Sequence, residues 1–376
     1  MKNRLIVANI TGAMEKIGLS QTAVSESLGV SRQAISQWLN EDSFPRPNKL
    51  LQLGKLLNLS FTQLVSKEDD LEPKVAFRKM KGTKTKPHHI EKAQEMGRFL
   101  SHLVTYIPFD IDEMPPVLKE PVLDYDYLQR VVSKVRQDIN VEPLETINFS
   151  HLIRRFRDLQ TVIIPVLWGS KKRHENALHI YLPQSQTTWV YLNLDVNIHD
   201  FKFWMSHELG HCFSPSLEGN EAEDFADAFA GALLCPHDMA EDFYRELNNS
   251  PRTTQAKLKK LMQLADKQII SPNTIVSQLK KYAIYTGKSE INFGKALYGW
   301  ITNFNKKYHN LSYAMLGDVS HLEPREYIQE TEKNFETDFF NLLKVYLKDT
   351  GKGAGYVQSV LDIPLMDSKG IYTELT

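Results

Sequence analysis

Of the 376 residues only two are cysteine, Cys212 and Cys235. That is too few for a disulfide-stapled scaffold and points to a reducing compartment. No apolar run approaches the roughly 20 residues a bilayer span needs. The start of the chain, with Lys2 and Arg4 before a short mixed segment, lacks the apolar stretch and cleavage site of a signal peptide. A cytoplasmic protein without membrane association is the expectation. Internal repeats and low-complexity tracts are absent too, which excludes solenoids and fibrous arrays. Net charge is nearly absent at −1, with 42% hydrophobic and 24% charged residues, as in an ordinary soluble protein. This length has room for two or three domains and ample core.

What the chain does contain is a histidine motif at 203–211, where His207-Glu208-Leu209-Gly210-His211 follows Phe201, Phe203, Trp204 and Met205. The apolar lead-in predicts a helix buried on one face. Two histidines four residues apart on a helix point the same way and suit one Zn²⁺, while Glu208 faces the position a water would take. Zinc lowers the pKa of such a water, and a carboxylate beside it takes the proton as the hydroxide attacks a carbonyl. The pattern points to metal-assisted hydrolysis. Cys212 adjoins the motif, but the expected role for both cysteines is that of a small buried hydrophobe.

Downstream, Phe225, Ala226, Phe229, Ala230, Leu233 and Leu234 recur at helical spacing. Glu223 and Asp227 share a face of that helix, which suits a carboxylate ligand followed one turn later by an acid that orients a ligating histidine. Glu221 competes for the ligand role, and acids are favoured in a first helical turn in any case.

Together, H-E-L-G-H, then E-x-x-A-D-x-F-A and a closing L-L-x-P, resemble the ImmA/IrrE family of zinc metallopeptidases over roughly residues 150–240. The resemblance implies a gluzincin-like site with His207, His211 and Glu223 as zinc ligands, Glu208 as base and Asp227 behind one histidine. Asp227 stands where that family usually has Asn, and Cys235 where it has Met. The resemblance also implies a protein substrate, such as a repressor or antitoxin, cut in a stress or mobile-element response.

Residues 1–66 read as short helices lined by Ile6, Ile10 and Met14, then Ala23, Val24 and Leu28, then Ala34, Ile35 and Trp38, then Leu50, Leu51, Leu53 and Leu57. Ser20 and Ser31 are N-cap candidates, and Gly29 permits a tight turn between two of the helices. This segment resembles the Xre, lambda-repressor-like helix-turn-helix domain, in which the second helix of the motif enters the major groove of an operator. The likeness implies base-edge readers at Arg32, Gln33, Ser36 and Gln37, with Ser31 at the head of the same helix and Gln21 on a phosphate. Palindromic operators suggest a homodimer.

Between the two motifs, residues 67–92 shift to an acidic stretch and then a basic run of Lys74, Arg78, Lys79, Lys81, Lys84 and Lys86, a boundary whose cations suit phosphate contacts. An amphipathic helix is expected over 88–106 and an exposed loop over 108–124. Helices at 127–135 and 147–156 then precede strands at 161–167, 177–182 and 187–193. An antiparallel sheet is expected, with the last strand as the edge to which an extended substrate adds. His179, Tyr191 and His237 are candidate oxyanion donors.

The expected architecture is multidomain. An all-α helix-turn-helix domain (1–66) and a basic linker with connecting helix (67–124) lead to an α+β gluzincin-like peptidase domain (125–287), followed by a helical C-terminal region (288–376). The function expected is a DNA-binding transcriptional regulator with zinc endopeptidase activity on a repressor, antitoxin or toxin. The alternative is a non-proteolytic repressor or antitoxin-like protein that binds its partner through the same fold. Self-cleavage within 67–92 is a third possibility.

Overall fold

The structure is a computed structural model and describes residues 4–40, 43–66, 72–77, 87–107, 116–169, 176–249, 253–318 and 322–376. The N-terminal unit is helical: α1 (Val7–Ile17), α2 (Gln21–Leu28), α3 (Arg32–Leu39), α4 (Pro47–Leu57) and α5 (Phe61–Leu64). Both expected caps form, with Ser20 Oγ accepting from Ala23 N–H at 3.2 Å and Ser31 Oγ from Ala34 N–H at 3.1 Å. Gly29 ends α2 in the left-handed region at φ 63°, which costs a glycine little. Lys49 Nζ donates to Leu28 O at 2.7 Å, tying α4 to the end of α2. Ile10, Met14, Val24, Leu28, Ile35, Trp38, Leu50, Leu53 and Leu57 form a core of their own. Antiparallel pairing of β1 (Arg4–Leu5) with β2 (Val65–Ser66) joins the ends of the unit.

The body begins with β3 (Lys74–Phe77), α6 (Pro87–Ser101) and a 3-10 turn at Val104–Tyr106. Then come α7 (Tyr125–Asp138), α8 (Phe149–Asp158), β4 (Thr161–Val166), β5 (Ala177–Leu182), β6 (Thr187–Asn193), α9 (Ile198–Phe213) and α10 (Gly219–Leu234). The basic residues from Arg78 to Lys86 lie outside the described residues, as do 108–115.

The sheet differs from the expected one in two ways. Its order is β3-β5-β6-β4, and β4 runs parallel to β6 while the other pairings are antiparallel. β5 and β6 form a hairpin across a short turn and β3 takes the other side of β5, which leaves β4 the far side of β6. The strand expected at the edge, β6, is therefore interior, and Trp189–Asn193 on it are buried throughout. One edge is instead β3, contributed by the segment read from sequence as linker.

Helices α11 (His237–Asn249), α12 (Thr254–Gln268) and α13 (Pro272–Thr286) follow α10. After them come α14 (Leu297–Asn305), α15 (Leu311–Leu316), α16 (Pro324–Phe335), α17 (Phe339–Thr350), α18 (Ala354–Leu361) and α19 (Leu365–Leu375). One continuous hydrophobic core runs from Ala93 to Leu375. The last helices complete the sheet's surroundings: Tyr191 OH donates to Val360 O at 2.7 Å, and Trp168 Nε1 to Leu361 O at 2.9 Å. The molecule is mostly helical around one small mixed sheet. Among the described residues no helix is long and apolar enough to cross a membrane.

Candidate metal centre and DNA-reading face

Helix α9 starts at Asn197, whose side chain accepts from His199 N–H at 3.0 Å, and is buried along almost its whole length. Its last two turns present His207 and His211. Gly210 between them lets α10 come close, since a Cβ there would lie 3.0 Å from Ala226 Cα. The close approach brings Glu223 to the histidines. His207 Nε2 and His211 Nε2 are 3.1 Å apart, and the Glu223 carboxylate oxygens stand 3.5 Å from the first and 3.4 Å from the second. Ligand atoms held tetrahedrally at zinc's usual distances are separated by roughly 3.3 Å. Two imidazoles and a carboxylate at these spacings fit that ion. Among the described residues this is the one such group.

Asp227, one turn beyond Glu223, hydrogen-bonds His207 Nδ1 at 2.8 Å, which turns Nε2 toward Glu223. The charges favour a cation. Burial alone would raise the pKa of Glu223, but hydrogen bonds and charge from His207 and His211 bring it down to about 2. Burial would lower His207, yet Asp227 and Glu223 raise it to about 9. Glu221, the competing ligand, is exposed at the helix start and outside the group.

Glu208 is buried one position along α9, with its Oε2 3.7 Å from His179 Nδ1. His179 projects from β5 with its ring 5.4 Å from that of His211. Burial, together with the neighbouring His211 and His207, pushes its pKa well below the ordinary value and keeps the ring neutral. The other two oxyanion candidates are engaged elsewhere: Tyr191 on Val360 O, and His237 against Tyr125 OH at 3.0 Å. Strand alternation at 177–182 does not reveal which face meets α9, so sequence alone did not separate His179 from the other two. Burial pushes both cysteine thiols up to about 12, so neither carries a reactive thiolate near neutrality.

In the N-terminal unit, α3 buries Ile35 and Trp38 and exposes Arg32, Gln33 and Gln37, with Ser36 half-buried beside them. Ser31 is exposed at the helix head, its oxygen occupied as the cap, and Gln21 is half-buried at the head of α2. The polar face of α3 therefore presents Arg32, Gln33 and Gln37 to solvent.

A helix-turn-helix family model matches residues 13–64. That segment is a helix-turn-helix unit, and the match supports a transcription regulator that binds double-stranded DNA. Comparison with curated proteins and with solved structures finds no match.

Proposed function

We propose that the protein is a DNA-binding regulator whose body carries a zinc-dependent endopeptidase site of the ImmA/IrrE kind, acting on a repressor, antitoxin or toxin. The observation that carries this reading is the convergence of His207, His211 and Glu223, backed by Asp227 on the far nitrogen of His207 and with Glu208 alongside. His207, His211 and Glu223 would hold the ion. A zinc ion supplies Lewis acidity, making a water acidic enough to lose its proton near neutral pH and polarising a carbonyl. Glu208 accepts that proton and returns it to the leaving amine. His179 offers a neutral N–H toward the developing oxyanion. In the N-terminal unit, Arg32 with Gln33, Ser36 and Gln37 reads base edges in an operator while Gln21 and Ser31 rest on the backbone, with the protein acting as a homodimer.

A structural zinc site usually closes its fourth position with a protein ligand and needs no base. Glu208 beside a three-ligand group therefore favours the catalytic reading over the non-proteolytic one. The experiment is zinc content of the purified protein, joined to co-expression with candidate partner proteins and mass spectrometry of fragments. One zinc per chain is expected in wild type and in Glu208→Gln, with fragments from wild type alone. Cleavage retained by Glu208→Gln would sink the mechanism. In the same preparations Arg32→Ala should weaken specific DNA binding by about 1–3 kcal/mol and leave cleavage intact.

A further inference from the structure

The sheet edge nearest the metal centre is filled by a strand from elsewhere in the chain. β4, β5 and β6 follow one another, but β3 arrives from before α6 and pairs with β5, Ala76 opposite His179 and Lys74 opposite Tyr181. His179 is the side chain beside Glu208. The segment is held at several points. Glu72 accepts from Arg98 on α6 at 2.7 Å, and Pro73 sits so tightly on Gly97 that a Cβ there would fall 2.5 Å from Pro73 Cβ. Lys74 Nζ lies 2.5 Å from Glu218 Oε1, at the N-cap of the helix that carries Glu223. Both ion pairs are solvent-exposed and the ladder is four residues long, so the attachment is of the kind that releases.

We infer that residues 72–77 are an internal stand-in for an extended peptide, covering the β5 edge on which a substrate backbone would pair until they are displaced. The inference rests on the peptidase reading and narrows its substrate class. The displacing segment is extended and carries a lysine or arginine for Glu218, two positions before the residue aligned with His179. In sequence the strap begins at residue 72, six positions after the helix-turn-helix unit ends at Ser66.

Full-length protein carrying Glu208→Gln, which leaves a probe uncut, is the background for the test. Two readouts are taken: hydrogen exchange of 177–182 by mass spectrometry, and anisotropy of a labelled synthetic peptide with the sequence of residues 74–77, which keeps the lysine for Glu218 and omits the proline that Gly97→Ala would exclude. Gly97→Ala leaves no room for a seated Pro73, and Lys74→Glu sets two carboxylates against each other. Gly97→Ala should speed exchange in 177–182 by about tenfold or more, the loss of one cooperative local structure, Lys74→Glu by roughly two- to fivefold as suits an exposed ion pair, and each should admit the peptide that the parent excludes. Adding Glu218→Lys to Lys74→Glu should restore the parent behaviour. Exchange that stays slow in both single variants, exchange that speeds equally in 187–193, or a loosened edge that takes up no peptide overturns the inference. Neither readout needs zinc or hydrolysis, so failure of the peptidase reading shows separately, as a chain without metal or fragments.

Discussion

Helix α9 carries three histidines, and its two ends make different things of them. At the C-terminal end His207 and His211 meet Glu223, and Asp227 holds the far nitrogen of His207. At the N-terminal end His199 is as deeply buried, yet neither ring nitrogen has a hydrogen-bond partner among the described residues, and the nearest carboxylate oxygen, on Asp266, is 3.7 Å away. That carboxylate already accepts from Tyr308 OH at 2.5 Å. The rings of Phe304 and Tyr308 enclose His199, and burial lowers its pKa. A histidine becomes a ligand when other donors converge on one nitrogen and a partner fixes the other. Without both, it is a flat core side chain with two poorly used polar atoms.

The largest test of that contrast is His211→Ala, which should take zinc from one per chain to almost none by elemental analysis, whereas His199→Ala should leave it at one. Equal zinc in both variants would erase the distinction. Asp227→Ala comes next. It should weaken zinc affinity about 10–100-fold in competition with a chromogenic chelator, with Asp227→Asn retaining more because an amide oxygen still accepts from Nδ1–H.

Between the two ends sits Lys202, fully buried, with Nζ donating to Gln268 O at 2.6 Å and lying 5.5 Å over the Phe149 ring. Burial brings its pKa from 10.5 down to about 7. Above pH 7 the folded chain has released a proton that the unfolded chain holds until about pH 10.5, so this residue makes stability rise with pH across that window. Denaturation midpoints should show the rise in wild type relative to Lys202→Met, and parallel curves would show that the ammonium is accommodated in the core. The smallest effect belongs to His199→Phe. Filling an aromatic surround without polar atoms should keep stability within about 1 kcal/mol of wild type and zinc unchanged.

These residues also separate what was legible in the chain from what was not. Ser20, Gly29 and Ser31 act on atoms within a few residues of themselves, so their caps and turn could be read directly. Helical spacing likewise put His207 with His211, and Glu223 with Asp227, each pair on one face. The approach of the two helices required Gly210, and the closeness of that contact is a property of the packed molecule. Three features had no local signal: β4 on the far side of β6, β3 at the edge, and His179 beside Glu208. Each depends on pairing between segments far apart in sequence, and alternation within a strand tells which residues share a face without telling what that face meets. A linker reading of 72–77 was natural for a segment bordered by charge runs. It failed at Lys74–Phe77 because a short strand needs only an available edge.

The hydrogen bonds from Tyr191 and Trp168 to the carbonyls of Val360 and Leu361 carry a consequence for how the protein is made. The DNA-reading unit has its own core and is complete once residue 66 has been synthesised. The sheet beneath the candidate metal centre lacks partners for two buried donors until α18 has emerged from the ribosome, roughly 300 residues later. At translation rates of about 5–20 residues per second, that is an interval on the order of 15–60 s. A nascent chain thus has a finished helix-turn-helix unit well before it has a finished body, which separates the two in time during each round of synthesis.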